Sequence, residues 1–244
     1  MQYFQMCHLY ELMLLLLQIY SVETMVKNVI VFGAHGNIGK HLMKLLGNSS
    51  YKATAVVRNE DQASTIKSIT GNANVSTTQL LLDDVSVDDL TKAIKGHDAV
   101  VFTAGSGGKN LLRIDLDAAV KTFEAAVKAN SKRYILISAL HADRREFVDS
   151  SQIRDYYIAK HYADRILINE FKEVLDFTIL KPTRLTNGDG KEKFRLVKDI
   201  NDDSGSVDRI DVAKVIFNIL DASSTFGKSY DFANGDKDLT EVFK

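Results

Sequence analysis

The 244-residue chain has one cysteine, Cys7, one proline, Pro182, and no tryptophan. A lone cysteine excludes an internal disulfide and any cysteine metal cluster, so no metal is expected. The formal net charge of −1 gives no broad basic surface, which argues against a nucleic-acid or anionic-membrane partner. Long apolar runs are missing too. The most apolar stretch, Leu9 to Ile19, is broken by Tyr10, Glu11 and Gln18, whereas a membrane span needs about 20 apolar residues. No Lys or Arg precedes Lys27, and no small-residue cleavage site follows the run, so it does not read as a secretory signal. Residues 1–24 are therefore expected to be an extension outside the fold. The competing reading is a short amphipathic docking helix. The remaining residues, 25–244, are expected to form a single domain, in a protein expected to be cytoplasmic.

What is present is ordinary for a folded α/β domain: 45% hydrophobic and 26% charged residues. The organising stretch runs from Asn28 to Leu42. Val29 to Phe32 is a short β-branched run suited to a strand covered on both faces. Gly33, Gly36 and Gly39 follow, and Ile38, Leu42, Leu45 and Leu46 recur at helical spacing. The glycines supply room for a sharp turn, for backbone to approach a pyrophosphate, and for the helix to lie close to the strand. The helix start then offers free N–H groups and a favourable dipole to phosphate. The turn residues Gly33, His35, Gly36, Asn37, Ile38 and Gly39 are the primary cofactor-binding candidates. The alternative is a glycine-rich βα turn with no ligand.

Further strands are expected at Lys52–Val57, Thr77–Leu82, Asp98–Thr103 and Arg133–Ile137, with a long helix from Leu111 to Ala129 that buries Leu112, Leu116, Phe123 and Val127. Alternating strands and helices imply a doubly wound parallel sheet, the Rossmann arrangement, with a small C-terminal annex. Ligands bind outside the carboxyl ends of such strands. Arg58, Asp84, Val85, Ala104, Gly105 and Ser138 all fall there. An arginine at the second strand's tip, with no carboxylate until Glu60, suits the 2′-phosphate of NADP better than the bare ribose of NAD. Asp84 and the Val85 amide suit an adenine edge, or equally the N-cap of the next helix. Tyr156 and Lys160 lie four apart on one helix face. An ammonium there would lower the phenol's pKa, and Ser138 could bind a substrate carbonyl. Tyr157 competes with Tyr156 for the buried position.

These segments, together with Val56–Asn59, Gly96–Val101, Ile135–Ala139, Leu180–Thr186 and Arg209–Ala213, resemble the atypical short-chain dehydrogenase/reductases, the NAD(P)-binding, NmrA-like and epimerase-like proteins. The resemblance covers nearly everything from Lys27 onward. It implies NADP binding, a Ser138–Tyr156–Lys160 triad, and a segment around Pro182 closing over the nicotinamide. The family's active-site asparagine falls at Asp115, a carboxylate that donates no hydrogen bond when ionised, so the family's usual water relay does not carry over. Ser138 also lies further before Tyr156 than is usual, and the insert His141–Gln152 reads as a solvated loop or a substrate lid. In the annex, Lys193–Ile200 reads as a strand, Val207–Leu220 as a helix and Ser229–Phe232 as a last strand, with Asp211 capping or bridging Arg209. The leading expectation is an NADP-dependent oxidoreductase acting on a small carbonyl-like molecule. The rivals are an NADPH-binding sensor without turnover, and a flavin or tetrapyrrole reductase. The oligomeric state is left open.

Overall fold

Strand β1 (Asn28–Phe32) is buried from Val29 onward, and its side chains alternate between two separate apolar layers. Val29 and Val31 face a layer with Leu42, Leu46, Val212 and Ile216. Ile30 and Phe32 face Leu90, Phe102 and Phe123 on the other side. Strict alternation into two cores is what a central parallel strand requires. In the computed structural model, which describes residues 25–71, 74–202 and 204–244, this strand sits near the middle of an eight-stranded sheet. The expected extension, residues 1–24, lies outside the described residues. Among those described, no helix is long and apolar enough to cross a membrane.

The first half runs β1, α1 (Asn37–Gly47), β2 (Lys52–Val57), α2 (Glu60–Thr70), β3 (Val75–Gln79), α3 (Val87–Ile94) and β4 (Ala99–Phe102). The second half continues with a π-helical segment (Leu111–Ala118), α4 (Ala119–Lys128), β5 (Arg133–Ile137), α5 (Arg145–Ser150), α6 (Arg154–Phe171), β6 (Asp176–Pro182), β7 (Arg184–Thr186), β8 (Phe194–Leu196), β9 (Ser206–Asp208), α7 (Arg209–Asn218), β10 (Lys228–Asn234) and α8 (Leu239–Val242). The sheet order is β3-β2-β1-β4-β5-β6-β10-β8, parallel throughout except for the β10–β8 pair. The doubly wound fold expected from the sequence is therefore present, with its switch point between β1 and β4. Helices α1, α2 and α7 cover one face, and α3, α4 and α6 the other.

Several local expectations need correction. The third strand is Val75–Gln79, not Thr77–Leu82, because only those residues pair with β2, and Leu81 is exposed. The helix expected over 111–129 starts as π-helix, which shifts the residue faces. Leu112 and Val127 point outward, while Asp115 is buried. The insert is not a solvated loop: it holds α5, with Val148, His141 and Ala142 buried. The annex contains an unforeseen two-stranded parallel sheet, β7 with β9. Its helix starts later than expected, at Arg209. Asp211 does not bridge Arg209. It accepts from the Lys191 and Glu192 amides and from Asn234, whereas Arg209 donates to Leu185 O and Asn187. Asp208 likewise accepts from Thr186 and the Gly188 amide, so two carboxylates clamp the loop between β7 and β8.

Arg133, buried at the start of β5, fastens the sheet to the annex. It donates to the Leu220, Ile219 and Asp176 carbonyls and to the Thr178 and Thr225 hydroxyls. Arg133→Met keeps the apolar stem but leaves those acceptors unsatisfied. It should cost roughly 3 kcal/mol, lowering the thermal midpoint by about 10 °C for a domain of this size. Calorimetry checks this, and a shift within 2 °C would show that the guanidinium is dispensable.

Candidate functional site

The glycine turn is built by close approach. Gly33 has a positive φ of 81°. A Cβ there would stand 2.5 Å from the Ala104 amide nitrogen, and one at Gly39 would stand 2.6 Å from the Ala34 carbonyl oxygen. The β1 turn, the β4 tip and the start of α1 thus meet where side chains cannot fit. Thr103 reinforces this by donating its hydroxyl to the Phe32 carbonyl. Helix α1 begins after exposed Gly36 with no side-chain cap and no acidic residue in its first turn. Its leading N–H groups therefore stay available to an anion. The residues present fit a dinucleotide pyrophosphate.

At the tip of β2, Arg58 is exposed and its guanidinium has no hydrogen-bond partner among the described residues, while its backbone N–H donates to Gln62. The nearest carboxylate, Glu60, is engaged with Gln79 and Lys67 and does not offer itself at the tip. His35 is held below its ordinary pKa by burial and by the Lys40 and Arg58 charges, so Lys40 and Arg58 form a positive corner beside an uncharged imidazole. Lys40 was not singled out from the sequence, because a lysine in the first turn of a helix reads as solvated. After β3, the capping alternative for Asp84 falls away: Ser86 caps α3, accepting from the Asp89 amide. Asp84 is exposed beside buried Val85.

The other half of the site joins three elements. Ala104 and Gly105 lead to Ser106, whose amide donates to the Asp115 carboxylate at 3.0 Å. Gly105 is close enough that a Cβ would lie 3.3 Å from Asp115 Oδ1. Asp115 pairs with Lys160 Nζ at 3.5 Å, both groups being almost fully buried. Lys160 also donates to the Ile137 carbonyl and sits 5.7 Å from the Tyr156 ring centre. Tyr156, Lys160 and Asp164 form a stripe on α6, one turn apart. Tyr157 packs edge-on against Phe147 of α5 and against Tyr156, and both tyrosines are half-buried. Pro182 is buried, and its carbonyl accepts from the Leu140 amide.

Two expectations do not match this geometry. The Tyr156 phenol is not lowered as the Lys160 spacing suggested. Burial, then the Asp115 and Asp164 carboxylates, push that phenol above its ordinary value. Ser138 is not free, since its hydroxyl donates to Asp164 Oδ2 at 2.9 Å. Sequence reasoning missed Asp164. It is 26 positions beyond Ser138, and only its spacing from Lys160 could have drawn attention to it. Behind it, buried Lys181 pairs with Asp143 at 2.8 Å and Asp231 at 3.3 Å. Burial works to lower the Lys181 ammonium, but the two carboxylates outweigh it and hold it up.

Residues 33–223 match the model of a family described as NAD(P)H-binding. The chain is 36% identical over 221 residues to the uncharacterized sugar epimerase YhfK of Bacillus subtilis, covering 88% of this chain and 98% of that one. It is 37% identical over 226 residues to the UPF0659 protein YMR090W of Saccharomyces cerevisiae, covering 88% and 97%. Among solved structures, the oxidoreductase ylbE of Lactococcus lactis superposes with a TM-score of 0.77 at 32% identity, covering 88% and 94%.

Asp164 makes a pH prediction. Burial outweighs the Lys181 charge and the Ser138 bond and raises its carboxyl to about 7. The folded chain then keeps a proton that the unfolded chain releases near pH 4, so this group's contribution to stability is lost as pH rises from about 4 to about 7. Asp164→Asn should remove that loss. The thermal midpoint of the variant minus that of the parent should therefore increase between those pH values. A difference that stays constant would rule out a raised Asp164.

Proposed function

Since the chain belongs to the NAD(P)H-binding, atypical short-chain dehydrogenase/reductase family, we propose that it is an NADP-dependent oxidoreductase that reduces a small carbonyl-like substrate. One observation carries this reading: Tyr156 and Lys160 on α6 meet Asp115 beside the glycine turn, where a nicotinamide and its acceptor would lie together.

The groups divide as follows. The α1 start and the Gly33–Gly39 turn hold the pyrophosphate. Arg58, with Lys40 beside it, takes the 2′-phosphate. Asp84 and the Val85 amide meet the adenine edge. Ala104, Gly105, Lys160 and Pro182 border the ribose and nicotinamide. A reduced nicotinamide supplies hydride when bound. Tyr156 gives its phenolic proton to the carbonyl oxygen as charge develops there. A phenol pushed up stays protonated at neutral pH, which suits a proton donor and not a base. That direction favours reduction over epimerisation, the activity named for the B. subtilis relative, in which the tyrosine would first have to remove a proton. Asp115 takes the asparagine position and holds Lys160 in place.

A second reading, an NADPH-binding sensor without turnover, draws on the same Asp115–Lys160 pair, which leaves the lysine less free to assist the tyrosine. Neither reading calls for a nucleic acid or a membrane.

Two measurements test the proposal. Arg58→Ala should weaken NADPH binding by roughly 10- to 100-fold, through loss of a charge-assisted bond, while leaving NADH binding nearly unchanged. Fluorescence titration reads both, and equal losses would remove the NADP preference. Tyr156→Phe should retain cofactor binding while steady-state NADPH oxidation in a carbonyl screen falls by about 10²–10⁴-fold. Tyr157→Phe should leave the rate within about threefold, as expected for a ring outside the proton path. Turnover of Tyr156→Phe at the parental rate would refute the mechanism.

A further inference from the structure

Ser138 stands at the carboxyl end of β5, with its amide donating to the Leu180 carbonyl and its hydroxyl to Asp164. A serine has a single hydroxyl proton. With that proton committed to Asp164 Oδ2, Ser138 turns only lone pairs toward the site. It can then accept from a substrate but cannot donate to a carbonyl oxygen. Asp164 itself is 1% exposed, and its second oxygen, Oδ1, is buried without a hydrogen-bond partner among the described residues. A buried carboxylate with one donor and one orphan oxygen is poorly solvated, so its neutral form is close at hand. The nearby cations do not pair with it directly. Lys160 is paired with Asp115, and Lys181 with Asp143 and Asp231.

We propose that Asp164 is a positioning residue whose protonation state sets the direction of the Ser138 hydroxyl, acceptor toward substrate when Asp164 is ionised and donor when it is protonated. This rests on the reading of Ser138 as a substrate-contacting group. In the protonated state Asp164 satisfies the serine oxygen from behind, and the serine proton is free to meet a carbonyl beside the Tyr156 phenol. The site then prefers a carbonyl acceptor at lower pH and a hydroxyl-bearing ligand at higher pH. The charged and titratable groups that bear on Asp164 are Lys160 and Tyr156 from α6, Lys181 from β6, and Asp143 from the insert. Tyr156 stays protonated across the neutral range, so the switch is not confused with loss of the proton donor.

The first test needs no turnover. In the full-length protein labelled with 13C at aspartate side chains, Asp164 is assigned by comparison with Asp164→Asn. Its carboxyl should titrate between about pH 5 and 9. Ser138→Ala removes the one donor that favours the ionised form, so it should move that titration upward. A carboxylate that stays ionised throughout, or a titration that ignores Ser138→Ala, overturns the proposal. The second test is the pH profile of kcat/KM for NADPH oxidation with a carbonyl acceptor. In the parent it should fall by roughly tenfold across the Asp164 titration, the worth of one hydrogen bond to the carbonyl. In Asp164→Asn, where the neutral amide donates to Ser138 at every pH, the profile should be flat. A parental profile as flat as that of the variant also overturns it. If no variant turns over but the coupled titration is intact, the oxidoreductase reading fails alone and the Asp164–Ser138 coupling stands.

Discussion

The tips of β1 and β4 meet at a separation that admits no side chain, and the rest of the site hangs on that approach. Gly33 lies against the Ala104 backbone, and Gly39 lies under the Ala34 carbonyl. Because α1 can then start directly above the sheet edge, its free N–H groups face the crevice. The same contact fixes where the chain leaves β4. From there a continuous path of bonds runs through Ser106 and Asp115 to Lys160 and back to the end of β5 at Ile137. The glycine turn and the tyrosine-bearing helix are therefore joined by one chain of contacts.

What the sequence made legible was local. The β-branched run before Gly33, the glycine spacing and the helical recurrence of Ile38 and Leu42 each depend on residues within a few positions of one another. The stops of α2 at Gly71 and of α3 ahead of Gly96 were visible for the same reason, both glycines having positive φ. Tyr156 and Lys160 were found by a helical spacing alone. What escaped notice was decided across the chain. The three-residue strands β7 and β9 have no periodicity to show and exist through pairing with each other. The π-helical start at Leu111 turned Leu112 outward, against a pattern that assumed 3.6 residues per turn. Asp164 and Lys181 meet partners 26 and 38 positions away, at distances that pattern reasoning does not reach.

The ground behind the tyrosine is unusually rich in buried charge. Lys160, Asp115, Asp164 and Lys181 are each no more than 4% exposed. Burying ions costs several kcal/mol apiece, and pairing recovers only part of that. A chain selected for stability alone would fill this space with aliphatic side chains, as it does on both faces of β1. Part of that cost falls at the carboxyl ends of β5 and β6, where Asp115, Lys160, Asp164 and Lys181 lie close behind Ser138 and Tyr156. The aromatic contacts from Tyr157 through Phe147 to His141 close the flank of this polar region with apolar surface.

Arg133 has a meaning for how the molecule comes into being. Its guanidinium sits in β5, yet the carbonyls of Ile219 and Leu220 and the hydroxyl of Thr225 that receive it lie 86 to 92 residues later. The amide of Val26 likewise ends on Asp221, 195 residues away. While the chain is being synthesised, the first six strands can align and β6 can already receive part of the Arg133 guanidinium, but its other acceptors and the partner of the Val26 amide come only with the last quarter. Closing such distant pairs demands large chain entropy before any reward is collected. The seam between β5 and the annex is thus a part of the fold that can close only late. A chain cut off after β6 would lack β10 and β8 and would leave the guanidinium with only its Asp176 and Thr178 partners.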